Sequence, residues 1–503
     1  MSIRKIALAV ACAVALAACG APDRTGGDSD DSRLTVGVTA ESGSFDPTGL
    51  KSSPGTAVQF WAPVYDTLLL RAPDGEIVPN MADFSYDDTS TILTLTLREG
   101  LLFADGTPIT GASVVQSMDR FRNGGGPDAV YLADVDSIEA PTDLEVVLTM
   151  TEPDPGLVYA LSSAAGAVAN PAEFGNPNLA LEPAESGAYT LDAARTVVGV
   201  EYTYVRNPSY WNPEAWPYDE IVLKILLDPT ARINALRSGQ VDATVIDAQS
   251  TAEMETLGFD VTLQSSSWEG LLLLDRGGDV SPALADPRVR QAINMSFNRS
   301  EIAQYLMLDT VEPNSQVFQE TASAYVDGSE YTYDPDRARA LMAEAGYADG
   351  FRLTMPSVGV ISYLEPVIRD SLSQIGISAR FDAVPADQVN SLLYERSYAA
   401  SPYRFTQDAP WMDFTRHVFP DAPMNPFGTE TPELDALLDA VRFAKPDERE
   451  TAEEEVGRYL FDNAWYAPLY NSSMLIGHIG SVDVVPQTGL NILPIQNYGR
   501  SAR

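Results

Sequence analysis

An unbroken apolar run of fourteen residues, Ile6 to Cys19, follows the positive pair Arg4-Lys5 at the start of the chain. The run is shorter than the roughly 20 residues a helix needs to span a bilayer, so it reads as an export signal occupying residues 1–18. Removing it also removes Cys12, which leaves Cys19 as the sole cysteine of the exported chain. No internal disulfide can form, so an extracytoplasmic fold must depend on the size of its core. The 503 residues supply one: at roughly 100–200 residues per domain they predict two or three domains.

The sequence Leu16-Ala17-Ala18-Cys19-Gly20 resembles the lipobox of bacterial lipoproteins, which implies acylation of the Cys19 thiol and attachment to a membrane. The Gly-, Ser- and Asp-rich stretch that follows has no periodic apolar residue, so residues 19–33 are expected to form a lipid-anchored flexible tether. Charge excludes one class of partner. With 71 acidic against 32 basic residues the net charge is -39, and a basic stripe able to follow a nucleic-acid backbone is not expected. The same balance argues against long-range steering of anionic solutes.

Beyond the tether, two periodicities alternate. Leu93-Thr94-Leu95-Thr96-Leu97 alternates apolar with polar and predicts a half-buried strand ending at Glu99-Gly100, with a hairpin into Leu101 onward. Asp286-Pro287, Asp334-Pro335 and Thr431-Pro432 each place a capping side chain before a proline, the order that starts a helix. Apolar stripes follow each of them, and Gly346 is placed to end the second helix in a left-handed conformation. Strand-like runs lie at 221–226, 270–274, 351–355 and 377–383, which predicts an α/β chain of more than one lobe.

The search for reactive motifs excludes more than it finds. None of the four lysines follows a glycine, so no phosphate-binding P-loop is present. The two histidines, His417 and His478, fit no zinc spacing, and each reads as a structural residue. No G-x-S-x-G elbow occurs, Gly124-Gly125-Gly126 reads as a turn, and Asp28, Asp30 and Asp31 lack the glycine and glutamate of a calcium loop. Neither catalysis, a cofactor nor a metal is expected.

Several strings, in order, resemble the family 5 extracellular solute-binding proteins. They include Val64-Tyr65-Asp66-Thr67-Leu68-Leu69, Asp74 to Ala82, Leu97-Arg98-Glu99-Gly100, Phe103 to Thr110, Ser117-Met118-Asp119-Arg120 and Ser186-Gly187-Ala188-Tyr189. Arg206 to Trp211, Arg232 to Asp242, Asp286 to Ile293 and Ile375-Gly376-Ile377 continue the series. Two positions depart from it: Gly111-Ala112-Ser113 stands where the family usually has an acidic pair, and Asp275 replaces an asparagine.

The resemblance implies a two-lobed periplasmic-binding-protein-like α/β fold (type II, cluster C) with an extra domain inserted in the first lobe. Its expected limits are 34–57, 180–268 and 470–503 for lobe I, 58–179 for the extra domain and 269–469 for lobe II. Also implied are a cleft that closes on a peptide, a membrane permease as partner, a separate ATPase and a monomeric receptor. The strongest site expectation is Asp408, in Tyr403-Arg404-Phe405-Thr406-Gln407-Asp408-Ala409-Pro410-Trp411, which matches the segment where an aspartate pairs with a peptide α-ammonium. Tyr403, Phe405, Trp411 and Trp268 are expected as apolar cleft walls, and Glu41, Ser42, Gly43 and Phe45 as a loop meeting the ligand. No arginine for a peptide carboxylate can be assigned from sequence. The alternatives are a receptor of the same fold for a nickel chelate, an oligosaccharide, an opine or glutathione, and a secreted hydrolase.

Overall fold

The computed structural model describes residues 32–40, 43–52, 57–126, 128–307, 310–385 and 388–501, with the side chains of 266, 446 and 447 left out. Among them a nine-stranded sheet forms the backbone of the fold. Its main path runs Ala400–Thr406, Asp260–Leu273, Tyr466–His478, Ala243–Ile246, Arg33–Val38, Glu220–Ile225, Glu201–Arg206 and Tyr189–Leu191. Arg33–Val38 is parallel to both its neighbours, and the other pairs on the path are antiparallel.

Apolar burial divides this framework into two bodies. One core gathers Leu34, Tyr65, Leu95, Tyr204 and Ile221 with the carboxyl-terminal Ile476 and Tyr498, and a smaller cluster around Leu236 and Met254 flanks it. The other body has two clusters, one around Leu271, Ile293 and Leu353, the other around Trp268, Phe405 and Trp465. Each fully buried Leu, Ile or Phe contributes roughly 1.5–3 kcal/mol, so each body holds itself together without a disulfide. The strands Asp260–Leu273 and Tyr466–His478 pass from one body to the other as an antiparallel pair, and their register shifts between Ser265 and Ser267 and between Glu269 and Gly270. At the second shift a side chain on Gly270 would place its Cβ 2.3 Å from the Ala467 carbonyl oxygen, so the crossover requires glycine there.

The first body carries a separate four-stranded antiparallel sheet, in the order Ala82–Tyr86, Ile92–Leu97, Glu145–Met150 and Val135–Thr142, covered by the helix Gly111–Asn123. Leu93, Leu95 and Leu97 are buried there, as their alternation predicts. The expected hairpin from this strand into Leu101 does not form, because both edges of Ile92–Leu97 are already paired. Residues 101–109 fold on themselves instead, through the Leu102–Pro108 bridge and Ile109 N–H donating to the Leu101 carbonyl.

Helix starts follow the sequence closely. The side chains of Asp286, Asp334 and Thr431 accept hydrogen bonds from Arg288, Arg337 and Leu434 N–H, each with proline opening the helix. Gly346 has φ +88°, the left-handed turn its position calls for. Both departures from the family pattern also have local reasons. Ser113 closes a reciprocal capping box with Thr110, and a Cβ on Gly111 would lie 2.7 Å from the Thr142 carbonyl oxygen. Asp275 accepts from four successive backbone N–H groups, those of Gly278, Asp279, Val280 and Ser281, a role that favours an acceptor-only carboxylate.

Candidate functional site

A cavity of about 360 Å³ lies between the two bodies. The first body lines it with Trp61, Leu70, Arg71, Tyr159 and Trp216 and with the carboxyl-terminal segment around Gln487 and Leu490, and the second lines it with Asp408, Met412 and Arg416. An apolar concavity with a few converging polar groups, at a boundary between two folded bodies, is the usual setting of a small-solute site.

Asp408 lies between the edge strand Ala400–Thr406 and the helix Pro410–His417, and its carboxylate is nine-tenths buried. Oδ1 accepts from Arg71 Nη1 at 2.9 Å and from the Ala409 N–H at 2.8 Å, while Oδ2 accepts from Arg416 Nη2 at 3.2 Å. Arg71 belongs to the first body, so the first of these bonds joins the two across the cavity. Its guanidinium also donates to the Gly489 carbonyl at 2.8 Å and lies over the Tyr159 ring, 5.0 Å from the centroid. A relay fixes it from behind: Gln264 on the crossover strand bonds the Gln487 backbone, and Gln487 Nε2 donates to the Arg71 carbonyl at 2.7 Å. Arg416 Nη2 reaches the first body as well, donating to the Tyr131 hydroxyl at 2.9 Å.

These charges set the protonation of the cluster. Burial opposes ionisation of Asp408, but the neighbouring Arg71 and Arg416 outweigh it and hold the carboxyl below its usual range. Asp413, one turn into the helix, is fully enclosed; burial and then the Asp408 charge push its carboxyl up to about 8. Its Oδ2 accepts from the Asp408 N–H at 3.1 Å, and its Oδ1 has no partner among the described residues. At neutral pH Asp413 therefore carries a proton. On the first body, Asp66 also lines the cavity and is raised by burial, and it accepts from Asn80 Nδ2, Trp211 Nε1, the Tyr210 hydroxyl and the Thr67 N–H.

Of the residues singled out from sequence, Asp408 lines the cavity, with two guanidinium groups of the chain itself on its oxygens. The expected aromatic walls lie elsewhere. Phe405 stacks on Trp268 with ring centroids 5.1 Å apart, and both belong to the second body's core. Tyr403 packs half-buried against that core. Trp411 donates from Nε1 to Asp154 Oδ1 at 3.1 Å, joining the two bodies beside the cavity. These large rings gain more from burial in a core than from a solvated wall. Gly43 is exposed, and Phe45 lies one layer behind the wall, its carbonyl accepting from the Tyr65 hydroxyl at 2.7 Å. Glu41, Ser42 and Cys19 lie outside the described residues. Of the two histidines, His417 is buried against Phe405 and pushed well below its usual range by burial, and His478 bonds Thr262.

Sequence reasoning missed Arg71, Arg416, Tyr159, Trp61 and Trp216. Arg71 had a partial signal, since it closes the apolar run Leu68-Leu69-Leu70 at the end of a string that resembles the family, and Arg416 had none beyond lying five residues after the string that ends at Trp411. Nothing in the sequence could bring residues 71 and 416 to one carboxylate.

The family model described as bacterial extracellular solute-binding proteins, family 5 Middle, matches residues 76–423. The glutathione-binding protein GsiB of Salmonella paratyphi A is 23% identical over 431 residues, covering 81% of this chain and 83% of that protein. The periplasmic murein tripeptide-binding protein MppA, in its unliganded open form, superposes with a TM-score of 0.80 at 17% identity, over 93% of this chain and 97% of its own. The periplasmic binding protein DppA from Helicobacter pylori, in complex with the peptide STSA, gives a TM-score of 0.73 at 19% identity, over 93% and 98%. These relatives are binding receptors, and the family match spans well over half of the chain. The two bodies, the strands that cross between them and the cavity they enclose accordingly belong to a member of family 5 of the bacterial extracellular solute-binding proteins, the receptors of ABC importers.

Proposed function

We propose that the chain captures a short peptide, or a small peptide-like solute, between its two lobes and delivers it to a membrane permease without chemical change. The observation that carries this reading is the cavity itself: about 360 Å³, walled by both bodies and bridged by the Arg71–Asp408 pair. That volume lies at the small end of the roughly 300–1,000 Å³ of small-molecule sites, which favours a di- or tripeptide over a long oligopeptide. The ligands of relatives are short peptides or peptide-like: glutathione for GsiB, a murein tripeptide for MppA and the tetrapeptide STSA for DppA. The lobes in this reading are 34–57, 180–268 and 470–503 against 269–469, with 58–179 as the extra domain; the register shift between Glu269 and Gly270, opposite Tyr470 and Pro468, supports the limits near 268 and 470. A solute touching both lobes favours the closed arrangement, and the closed form is the signal to the permease. Acylation at Cys19 and the tether behind it would keep the receptor close to that permease.

Thermal unfolding of the full chain tests the reading. A panel of di- to pentapeptides, sugars, opines and nickel chelates is screened, with the solute recovered afterwards by mass spectrometry. A bound solute at one hundred times its dissociation constant stabilises by about 2.7 kcal/mol and raises the midpoint by a few degrees. Di- and tripeptides are expected to give this shift and to be recovered intact. A shift from sugars or nickel chelates alone would overturn the peptide class, and cleaved peptide would overturn the receptor role.

A further inference from the structure

The two bodies touch inside the cavity and also beside it. Inside, Arg71 bonds Asp408 and Arg416 bonds the Tyr131 hydroxyl, through side chains that are themselves cavity wall. A solute entering there competes with those bonds. The second meeting place is free of that competition, because Trp411, Asp154, Gly156, Glu152 and Arg442 line no part of the cavity. Yet Trp411 Nε1 donates to Asp154 Oδ1 at 3.1 Å, and Arg442 Nη1 pairs with Glu152 Oε2, each across the boundary between the second body and the first.

Each side of this contact is shaped for the other. On the second body Phe419 meets the Trp411 ring edge-on with centroids 5.4 Å apart, and the Arg442 guanidinium lies 5.7 Å from the Trp411 ring centroid, so the indole is held in place by its own body. On the first body the Gly156 N–H donates to Asp154 Oδ1 at 2.8 Å and fixes the acceptor that the indole N–H meets. Gly156 also leaves room for the ring: a Cβ there would lie 2.9 Å from Trp411 Cδ1 and 3.1 Å from Met412 Sδ, both on the other body, and 3.0 Å from Asp154 Oδ1. Its backbone does not itself ask for glycine, since φ -76° and ψ -19° are ordinary right-handed helical values. The requirement for glycine comes from the arrival of Trp411.

Resting on the reading that the lobes close around a solute, we propose that Trp411 and the notch formed by Asp154 and Gly156 are a latch, which favours the closed arrangement by protein–protein contact alone and makes Trp411 a positioning residue for capture. A solute then supplies only the remainder of the closing free energy, and its apparent affinity scales with the fraction of chains whose lobes are closed. Weakening the latch weakens capture without altering any group that lines the cavity.

Small-angle scattering and amide hydrogen exchange of the full chain, without solute, test the latch, and calorimetric titration with trialanine tests its bearing on capture. Trp411→Phe keeps a ring against Phe419 and removes the donor; Asp154→Ala removes the acceptor from the opposite body, so the pair decides even where one variant fails to fold. Each should enlarge the radius of gyration and speed exchange in residues 152–160 and 408–419 by about three- to tenfold, the worth of one such bond, while the core strands Ile92–Leu97 and Phe351–Ser357 keep their protection. Trialanine should bind each more weakly by a similar factor. Gly156→Val, whose side chain wedges the contact apart, gives the fully opened reference. No change in Trp411→Phe and Asp154→Ala would overturn the latch even if Gly156→Val opens the chain, since a wedge separates any contact. Opening with trialanine affinity intact would overturn its role in capture. If trialanine binds none of these proteins, the peptide reading falls, while scattering and exchange still decide the latch.

Discussion

Two buried aspartates face the same cavity and are stabilised in opposite ways. Asp66 is surrounded by neutral donors from its own lobe, and burial raises its carboxyl despite them. Asp408 is held by two cations, one from the other lobe, and its carboxyl is lowered even though it too is enclosed. The first arrangement fixes the shape of one wall. The second fixes charge, and it makes the relative position of the lobes part of the electrostatics, because separating them would strip Arg71 from its partner. The contrast predicts unequal costs of removing each charge. Asp408→Asn leaves two guanidinium groups facing an amide and should destabilise the chain by about 3–5 kcal/mol, as for other buried pairs broken on one side. Asp66→Asn mismatches a donor with donors and should cost about 1–3 kcal/mol. Midpoints of thermal unfolding for the two variants check the order. A larger loss at Asp66 would show that the bridge between the lobes contributes little to stability.

Asp413 sharpens the comparison through pH. Its folded carboxyl, at about 8, lies far above the unfolded value of about 3.9, so the folded state holds a proton that the unfolded state releases across that window. Stability from this group is fully present below pH 4 and is lost as pH rises toward 8. Asp408 has the opposite sign: its lowered carboxyl stabilises above the unfolded value and loses that contribution only in acid. Asp413→Asn keeps the acceptor for the Asp408 N–H and removes the titration. The variant's unfolding midpoint should therefore exceed that of the unaltered chain by a few degrees at pH 8, and the difference should vanish toward pH 4. Parallel pH profiles for the two proteins would mean that Asp413 is ionised in the folded state.

The difference between the two aspartates also marks how far the sequence could be read. Helices opened by Asp286-Pro287, Asp334-Pro335 and Thr431-Pro432 were legible because cap, proline and apolar stripe lie within a few residues of one another. The strand at 92–97 was legible for the same reason, whereas its partners were not: both of its edges are occupied by strands that the local pattern does not name. At the site, Asp408 stood out through the string around it. Its partners are Arg71, 337 residues away, and Arg416, which sits in a helix that begins only after Asp408, at Pro410, so that no helical periodicity pairs the two. The aromatic residues near Asp408 misled in a consistent direction. Phe405 and Trp268 have the side chains a cleft could use, but each meets another ring first, and close packing against that ring withdraws it from the cavity.

The smallest expected effect concerns the contrast between the cluster and the rest of the surface. A net charge of -39 surrounds a cavity whose wall carries both arginine and aspartate side chains, so a negatively charged peptide is repelled at a distance by the chain as a whole. Affinity then arises from contacts inside the cavity, and added salt should hasten capture rather than slow it. Between about 0.01 and 0.1 M salt the screening length falls from about 30 Å to about 10 Å, which hides much of the outer charge while leaving the enclosed guanidinium groups less affected. Stopped-flow association of N-acetyl-trialanine should accelerate by roughly two- to threefold over that range, and its neutral amide should change little. Slower capture at higher salt would mean that the arginine pair projects its field into the cleft entrance and guides the anion in against the outer charge.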